Sequence, residues 1–443
     1  MSEQVLIRGG RLIDGTGAEP RDGVDVLVEP DRIVAVGAAA ADAAEPEATV
    51  VDAAGKTVLP GLIDAHVHCT FDDVASNDEL FFHREQTVAA LSAAKNLEKI
   101  LRAGVTSIMD PDTVFGIGPS LRDSVEAGLV EGPRISTGVQ ALLTSVGGTA
   151  GRLIPDHGTV GYAQIVNTTD EMVIWTRRHI KQGADWIKIH ATGSIPTQPG
   201  ELAVWSEHEL RVVCDTAHEL GVPVTAHCRN AQSTLWAARA GVDLILHASF
   251  MDDEGLAAVV EHGAAICPTF TFLANLADFG STVGASPGME DIFRGEIEAT
   301  GKMMRAAYDA GVPILCGSES GFALTPYGHW HGREMEVLVD ALGLAPLEAI
   351  TCATKNNAIA IRSEGELGTV QEGRKADVIV VDGDPVADIR LLNDRSRMAA
   401  VVSRGRLVDL DRPWPEWTPV RGWKVGAWAE RSLTHDAAYR SLP

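Results

Sequence analysis

One phrase recurs between residues 58 and 320 and limits what this chain can become: a helical stretch, then glycine with valine or alanine, then an apolar run. It reads "RAGVTSIMD", "KQGADWIKI", "ELGVPVTAH", "ARAGVDLILH", "VEHGAAICPT" and "DAGVPILCG". Glycine just past a helix can take the left-handed conformation that ends it, and a β-branched run suits a parallel strand buried on both faces. Each phrase is one step from helix to strand. With "TVLPGLIDAHVH" at the start and "PRISTGV" near residue 135, eight strands are expected, near 58–68, 105–110, 134–139, 186–192, 222–227, 244–249, 264–269 and 313–318. Alternation of eight strands with helices over about 260 residues matches the usual size of a (β/α)8 TIM-like barrel; a doubly wound open α/β sheet is the alternative.

Both ends of the chain have another texture. "VLIRGGRLIDG" and "VDVLVEPDRIVAVG" are short alternating strands broken by turns, as are "GTVQEGRKADVIVVDGDP" and "MAAVVSRGRLVDL". Residues 1–57 and 366–410 are expected to form one small β-sandwich, residues 58–365 the barrel, and the Trp- and Pro-rich residues 411–443 a C-terminal arm over the barrel or a neighbouring subunit. A homo-oligomer is expected. The net charge of −24 repels nucleic acid and anionic membranes, so neither is an expected partner; a small molecule is. No basic and apolar leader and no long uncharged apolar run occur, so a cytoplasmic protein is expected by default. The six cysteines lie without a CxxC pair and are assigned to packing.

In such a barrel, function sits where the strands end, so the polar residues at those ends are the test. "DAHVHC" turns His66 and His68 to one side, because strand side chains alternate. "DWIKIHATG" puts Lys188 on the inward face, where it should find an anion or lose its proton. A neutral lysine can take up carbon dioxide, and the resulting carbamate offers two oxygens that can bridge two metal ions. "PVTAHCRN" ends at His227, "LILHAS" at His247, and "PILCGSESGFAL" delivers Glu319. Alone, a strand-end histidine is more often an ordinary core or surface residue, a buried lysine a structural one, and a loop acid a solvated one. Their joint arrival at one rim points to a divalent metal centre of one or two ions, with zinc expected before cobalt or manganese, and to metal-assisted hydrolysis. His329 and His331 in "YGHWHGRE" repeat the HxH spacing on a loop, and join His190, Arg229 and Asn230 as candidates for substrate contact.

These residues resemble the amidohydrolase superfamily, in its imidazolonepropionase-like and Xaa-Pro dipeptidase-like branch. The resemblance spans nearly the whole chain, from "VLPGLIDAHVH" through "IKIHATG", "GVPVTAHC" and "GVDLILHASFMDDEG" to "PLEAITCATKNNAIAI" and "GELGTVQEGRKADVIVVDGDP". It implies that His66 and His68 hold one metal, His227 and His247 a second, and a carboxylated Lys188 both. It further implies attack of a metal-activated hydroxide on a carbonyl, with the strand-eight acid, Glu319, carrying the proton to the leaving nitrogen. The family nearly always has aspartate there. The longer acid is read first as a natural adaptation, then as a substitution that traps substrate, then as an acid without a role. Relatives of the dipeptidase kind carry His-Gly pairs where this chain has "TSVGGTAGR" and Arg229-Asn230, which weakens that assignment.

The expected activity is cleavage of a C–N bond in a small amide, urea or carbamate, in the manner of the phenylurea and molinate hydrolase subgroup. The alternatives are an Xaa-Pro or Xaa-Arg dipeptidase, a cyclic-amide hydrolase, and a non-catalytic scaffold on the same fold.

Overall fold

The computed structural model describes residues 3–75, 85–148, 161–194, 201–416 and 432–439, which form a mixed α/β architecture. In all six recurring phrases the glycine takes a positive φ, from 73° at Gly263 to 97° at Gly241. Helix starts are fixed as locally. Thr168 with Glu171 and Ser206 with Glu209 close reciprocal caps, while Asn230 and Asp252 cap the helices Ala231–Ala240 and Asp253–His262.

Parallel pairing joins Leu62–Asp64 to Val105–Asp110 and that strand to Arg134–Thr137. Asp185 N–H then donates to Thr137 O at 2.7 Å, leading into Ile187–His190. From there Val224–Cys228, Leu244–His247 and Ala265–Cys267 follow in order. Ile266 bridges to Ile314, and Ala65 N–H returns to Cys316 O at 2.9 Å. Each of the eight segments thus meets the next, and the last meets the first. Ala65, Met109, Trp186, Leu244, Leu246 and Leu315 fill the inside of this ring.

Two expected strands differ. The run at 58–68 is divided: Gly61 N–H bonds Asp377 O beside the terminal strands, whereas Leu62 N–H turns to Gly104 O in the ring. Near 313–318 only the Ile314 bridge remains, because Pro313 offers no donor and the chain soon leaves extended geometry.

The terminal strands form one hydrogen-bonded sheet of eight drawn from both ends of the chain. Val378–Val381 from the C-terminal part pairs with Thr57–Pro60 from the N-terminal part. Alternation sends Ile7, Val26, Val28, Val58, Val378 and Val402 into one cluster at 0% exposure. Burial of each such side chain stabilises the fold by about 1.5–3 kcal/mol. Arg134, at the start of a ring strand, ion-pairs with Asp31 and Asp377 and ties this sheet to the ring. The described part of the arm packs on its own chain: Arg395 lies 3.9 Å over Trp414, and Trp330 Nε1 donates to Leu433 O at 2.7 Å. Among the described residues no helix is long and apolar enough to cross a membrane. All six cysteines are free and buried.

Candidate metal centre

The ends of the ring strands bring the expected residues together. Strand register sets His190 beside His227 and Cys228 beside His247. Ring centroids are 4.9 Å apart for His66 and His68, 5.5 Å for His66 and His247, and 4.5 Å for His227 and His247. Donor atoms of His66, His68 and Glu319 lie within 4.8 Å of one another, and Glu319 Oε1 is 3.9 Å from His247 Nε2. Lys188 is 1% exposed, and Asp112 and Glu319 are the carboxylates that act on it most strongly.

The backbone is bent to achieve this. His247, Thr269 and Glu319 have φ of 68°, 55° and 54°, values that side chains other than glycine seldom adopt and that collect at functional sites. Glu319 is also bracketed by two glycines at close approaches. A Cβ on Gly317 would come within 2.6 Å of His66 Cβ, and one on Gly321, at φ 129°, within 2.6 Å of His68 O.

Electrostatics favour neutral donors. Burial, then Lys188 and His68, push His66 well below the ordinary imidazole value; burial, then His227 and His66, do the same to His247. Burial lowers Lys188 against the pull of Asp112 and Glu319. Burial also raises Glu319 to about 8, with Arg229 and Lys188 opposing. His66 Nε2 and His247 Nε2 are buried without a hydrogen-bond partner, which is costly unless something fills the place.

Three neighbours carry weight that the sequence reading missed. Asp112, 0% exposed, lies 2.9 Å from His68 Nδ1 and 3.2 Å from His190 Nε2. Burial would raise its pKa, yet Lys188 and His68 hold it well below the carboxylate range. The doubled acid of "MDPDT" at a strand end was its signal. Glu201 Oε2 is 2.8 Å from His227 Nε2, and Glu201 Oε1 accepts from Arg229 Nη1 at 3.2 Å. Asp64 accepts from His66 N–H and from Ser318, joining the first strand end to the turn that carries Glu319.

The substrate-side candidates separate. Arg229 borders a cavity of about 210 Å³ together with His227, His247, Glu319, Phe272, Phe293 and Phe322. Asn230 is a helix cap, its Oδ1 accepting from Ser233 N–H at 2.7 Å. His190 is buried between Asp112 and the stacked ring of His227. His329 and His331 do not border the cavity. His331 Nδ1 is 2.7 Å from Asp64 and its Nε2 accepts from Gly328 N–H, while His329 Nδ1 accepts from His435 N–H in the arm.

Residues 57–408 match the model of the amidohydrolase family. The chain belongs to that family. It is 26% identical to ochratoxinase of Aspergillus niger over 452 residues, covering 96% of this chain and 88% of that protein. Among solved structures it resembles a Xaa-Pro dipeptidase with bound methionine, with TM-score 0.80 and 26% identity over 92% of this chain and 100% of that one. It also shares its fold with molinate hydrolase, with TM-score 0.77 and 23% identity over 95% and 98% of the two chains. Such neighbours are of the TIM-barrel type, and members of the family are hydrolases that commonly bind divalent metals.

The residues present fit such an ion. Neutral imidazoles with unpartnered nitrogens, a lysine driven toward neutrality and a carboxylate within ligand distance make a mixed nitrogen and oxygen donor set.

Proposed function

We propose that this amidohydrolase is a metal-dependent enzyme that cleaves the C–N bond of a small, uncharged amide, urea or carbamate bearing an aryl or bulky alkyl group. In this reading the ring of residues 58–365 is a (β/α)8 barrel that serves the chemistry, braced by residues 1–57 and 366–410 and by the described part of the arm 411–443. One observation carries the proposal: His227, His247 and Glu319 border a cavity walled by Phe272, Leu273, Met289, Phe293 and Phe322, and His66, whose Nε2 has no hydrogen-bond partner, lies against His247.

His66, His68, His227, His247, Lys188 as its carbamate and Glu319 would hold one or two divalent ions, zinc first by donor type. Bound there, the ion supplies Lewis acidity and makes water ionise near neutral pH. The chain does the rest. Glu319, as the carboxylate beside the ion, would take a proton from the attacking water and pass it to the leaving nitrogen, so that water adds across the C–N bond to give acid and amine. Arg229 uses three N–H groups on Glu201 and Glu296, leaving two of a guanidinium's five to steady the substrate's oxygen. The aromatic wall excludes water and grips the apolar group.

Charge selects the substrate. Arg229 is already balanced by Glu201 and Glu296, so a substrate carboxylate entering the cavity would face Glu201 and Glu319 with no cation to itself among the described residues that border it. Likeness to the Xaa-Pro dipeptidase structure supports the second reading, a dipeptidase. Two panels decide: N-aryl ureas, carbamates and anilides against Xaa-Pro and Xaa-Arg dipeptides, each with and without chelator. Chelator-sensitive release of amine from the first supports the proposal; turnover of dipeptides alone overturns it.

A further inference from the structure

Thr269 follows the strand Ala265–Cys267, is 0% exposed and stands at φ 55°, ψ 48°. A β-branched residue there is strained, by about 1–3 kcal/mol, unless its surroundings hold it. The surroundings are specific. The carboxylate of Glu334, itself 0% exposed, accepts from Phe270 N–H at 2.9 Å and from Thr271 N–H at 2.8 Å, the two amides that follow Thr269. It also accepts from the Thr271 hydroxyl at 2.7 Å. Glu334 thus supplies the cap that the helix Phe270–Phe279 lacks at its own start, where Thr269 gives no side-chain cap.

Freed from capping, the Thr269 hydroxyl turns to the rim. Its Oγ1 lies 3.1 Å from His66 Nδ1 and 3.2 Å from Cys267 O. A carbonyl oxygen only accepts, so with the hydroxyl proton given to Cys267 O, and with Cys267 Sγ farther off at 3.6 Å, Oγ1 is left to accept from His66 Nδ1–H. That choice leaves the His66 Nε2 lone pair bare. The other tautomer would bury an N–H with no acceptor, since Nε2 has no partner.

We propose that Thr269, held in a left-handed turn by Glu334, is a positioning residue that fixes His66 as the Nδ1–H tautomer and aims its Nε2 at the metal. The inference rests on the proposed metal-dependent reading. It sets the two histidines of the HxH pair apart: His66 is oriented by a neutral hydroxyl, whereas His68 faces the carboxylate of Asp112.

The test measures metal binding by chelator competition on the full chain, with zinc and with cobalt, for the parent, Thr269→Val, Thr269→Ala and Thr269→Ser. Loss of such a supporting partner weakens metal binding by about 10–100-fold, which is the loss expected for Thr269→Val, with Thr269→Ser returning close to the parent. Binding by Thr269→Val at parental strength overturns this inference and leaves the metal-dependent reading standing. Absence of metal on the parent overturns both. Should the valine variant fail to fold, Thr269→Ala takes its place, and nitrogen-15 spectra of the metal-free parent decide independently. A protonated Nδ1 and bare Nε2 on His66 support the inference, and the reverse tautomer overturns it.

Discussion

Two groups of charge lie at opposite ends of the parallel strands, one partly buried and one buried, and they are built by different rules. At the strand starts Arg134 meets Asp31 and Asp377, and Lys375 meets Asp31, so each cation has its anion. At the strand ends His66, His68, Lys188, His190, His227 and His247 crowd about Asp112, Glu201 and Glu319, and four of their imidazole nitrogens have no hydrogen-bond partner. Burial lowers Arg134 but Asp377 and Asp31 more than restore it; burial lowers Lys188 and its neighbours do not. A paired cluster is what a fold requires of buried charge. One with nitrogens left unpaired is tolerated at the expense of stability, as at the proposed metal centre.

Removing a ligand should break the comparison most sharply. His66→Ala is expected to reduce turnover to background and empty the site of metal, while the melting temperature of the metal-free chain holds or rises. A fall in metal-free stability as large as the one at Arg134 would mean that the rim is a structural network. Arg134→Leu is expected to show the reverse. Leaving the buried Asp377 without its cation, while the partly exposed Asp31 keeps Lys375, should cost up to about 3–5 kcal/mol in denaturant unfolding. Metal content per folded chain should not change.

Glu319→Asp sharpens the contrast on the rim side. The shorter acid withdraws the carboxylate by roughly 1.5 Å, a misplacement worth about a hundredfold in kcat. A rise in kcat, or the appearance of a second metal, would show that the longer acid is a handicap rather than a fit. The smallest effect is on pH. Burial raises Glu319 from 4.5 to about 8, so the folded metal-free chain holds this proton more tightly than the unfolded chain does. Its contribution is therefore complete below the unfolded value and is lost as pH rises toward about 8. Melting of the metal-free parent should decline across that window relative to Glu319→Gln, which cannot titrate; parallel curves would contradict the shift.

The ring was legible because each helix-to-strand step carries a glycine whose left-handed φ is written locally, as at Gly241 and Gly263. The convergence of His66, His227 and His247 could be read for the same reason: strand ends locate their residues without knowledge of side-chain contacts. What could not be read depends on contacts distant in sequence. Asp112 acts through His68 and His190, Glu201 through His227, and His331 braces Asp64 from 267 positions away. Spacing alone promoted His329 and His331, since HxH on a loop looks like HxH on a strand until the loop is placed. The pairing of the terminal strands was beyond reach for a related reason: alternation shows which residues face inward, and not which strand pairs with which.

The most direct test of the account is a metal titration of the chelator-stripped full chain in bicarbonate, following amine release from an N-aryl carbamate or anilide that the substrate panel selects. The account predicts no turnover without metal, a rise in proportion to metal bound, and a plateau at one or two ions per chain. Undiminished turnover of the stripped chain would contradict it.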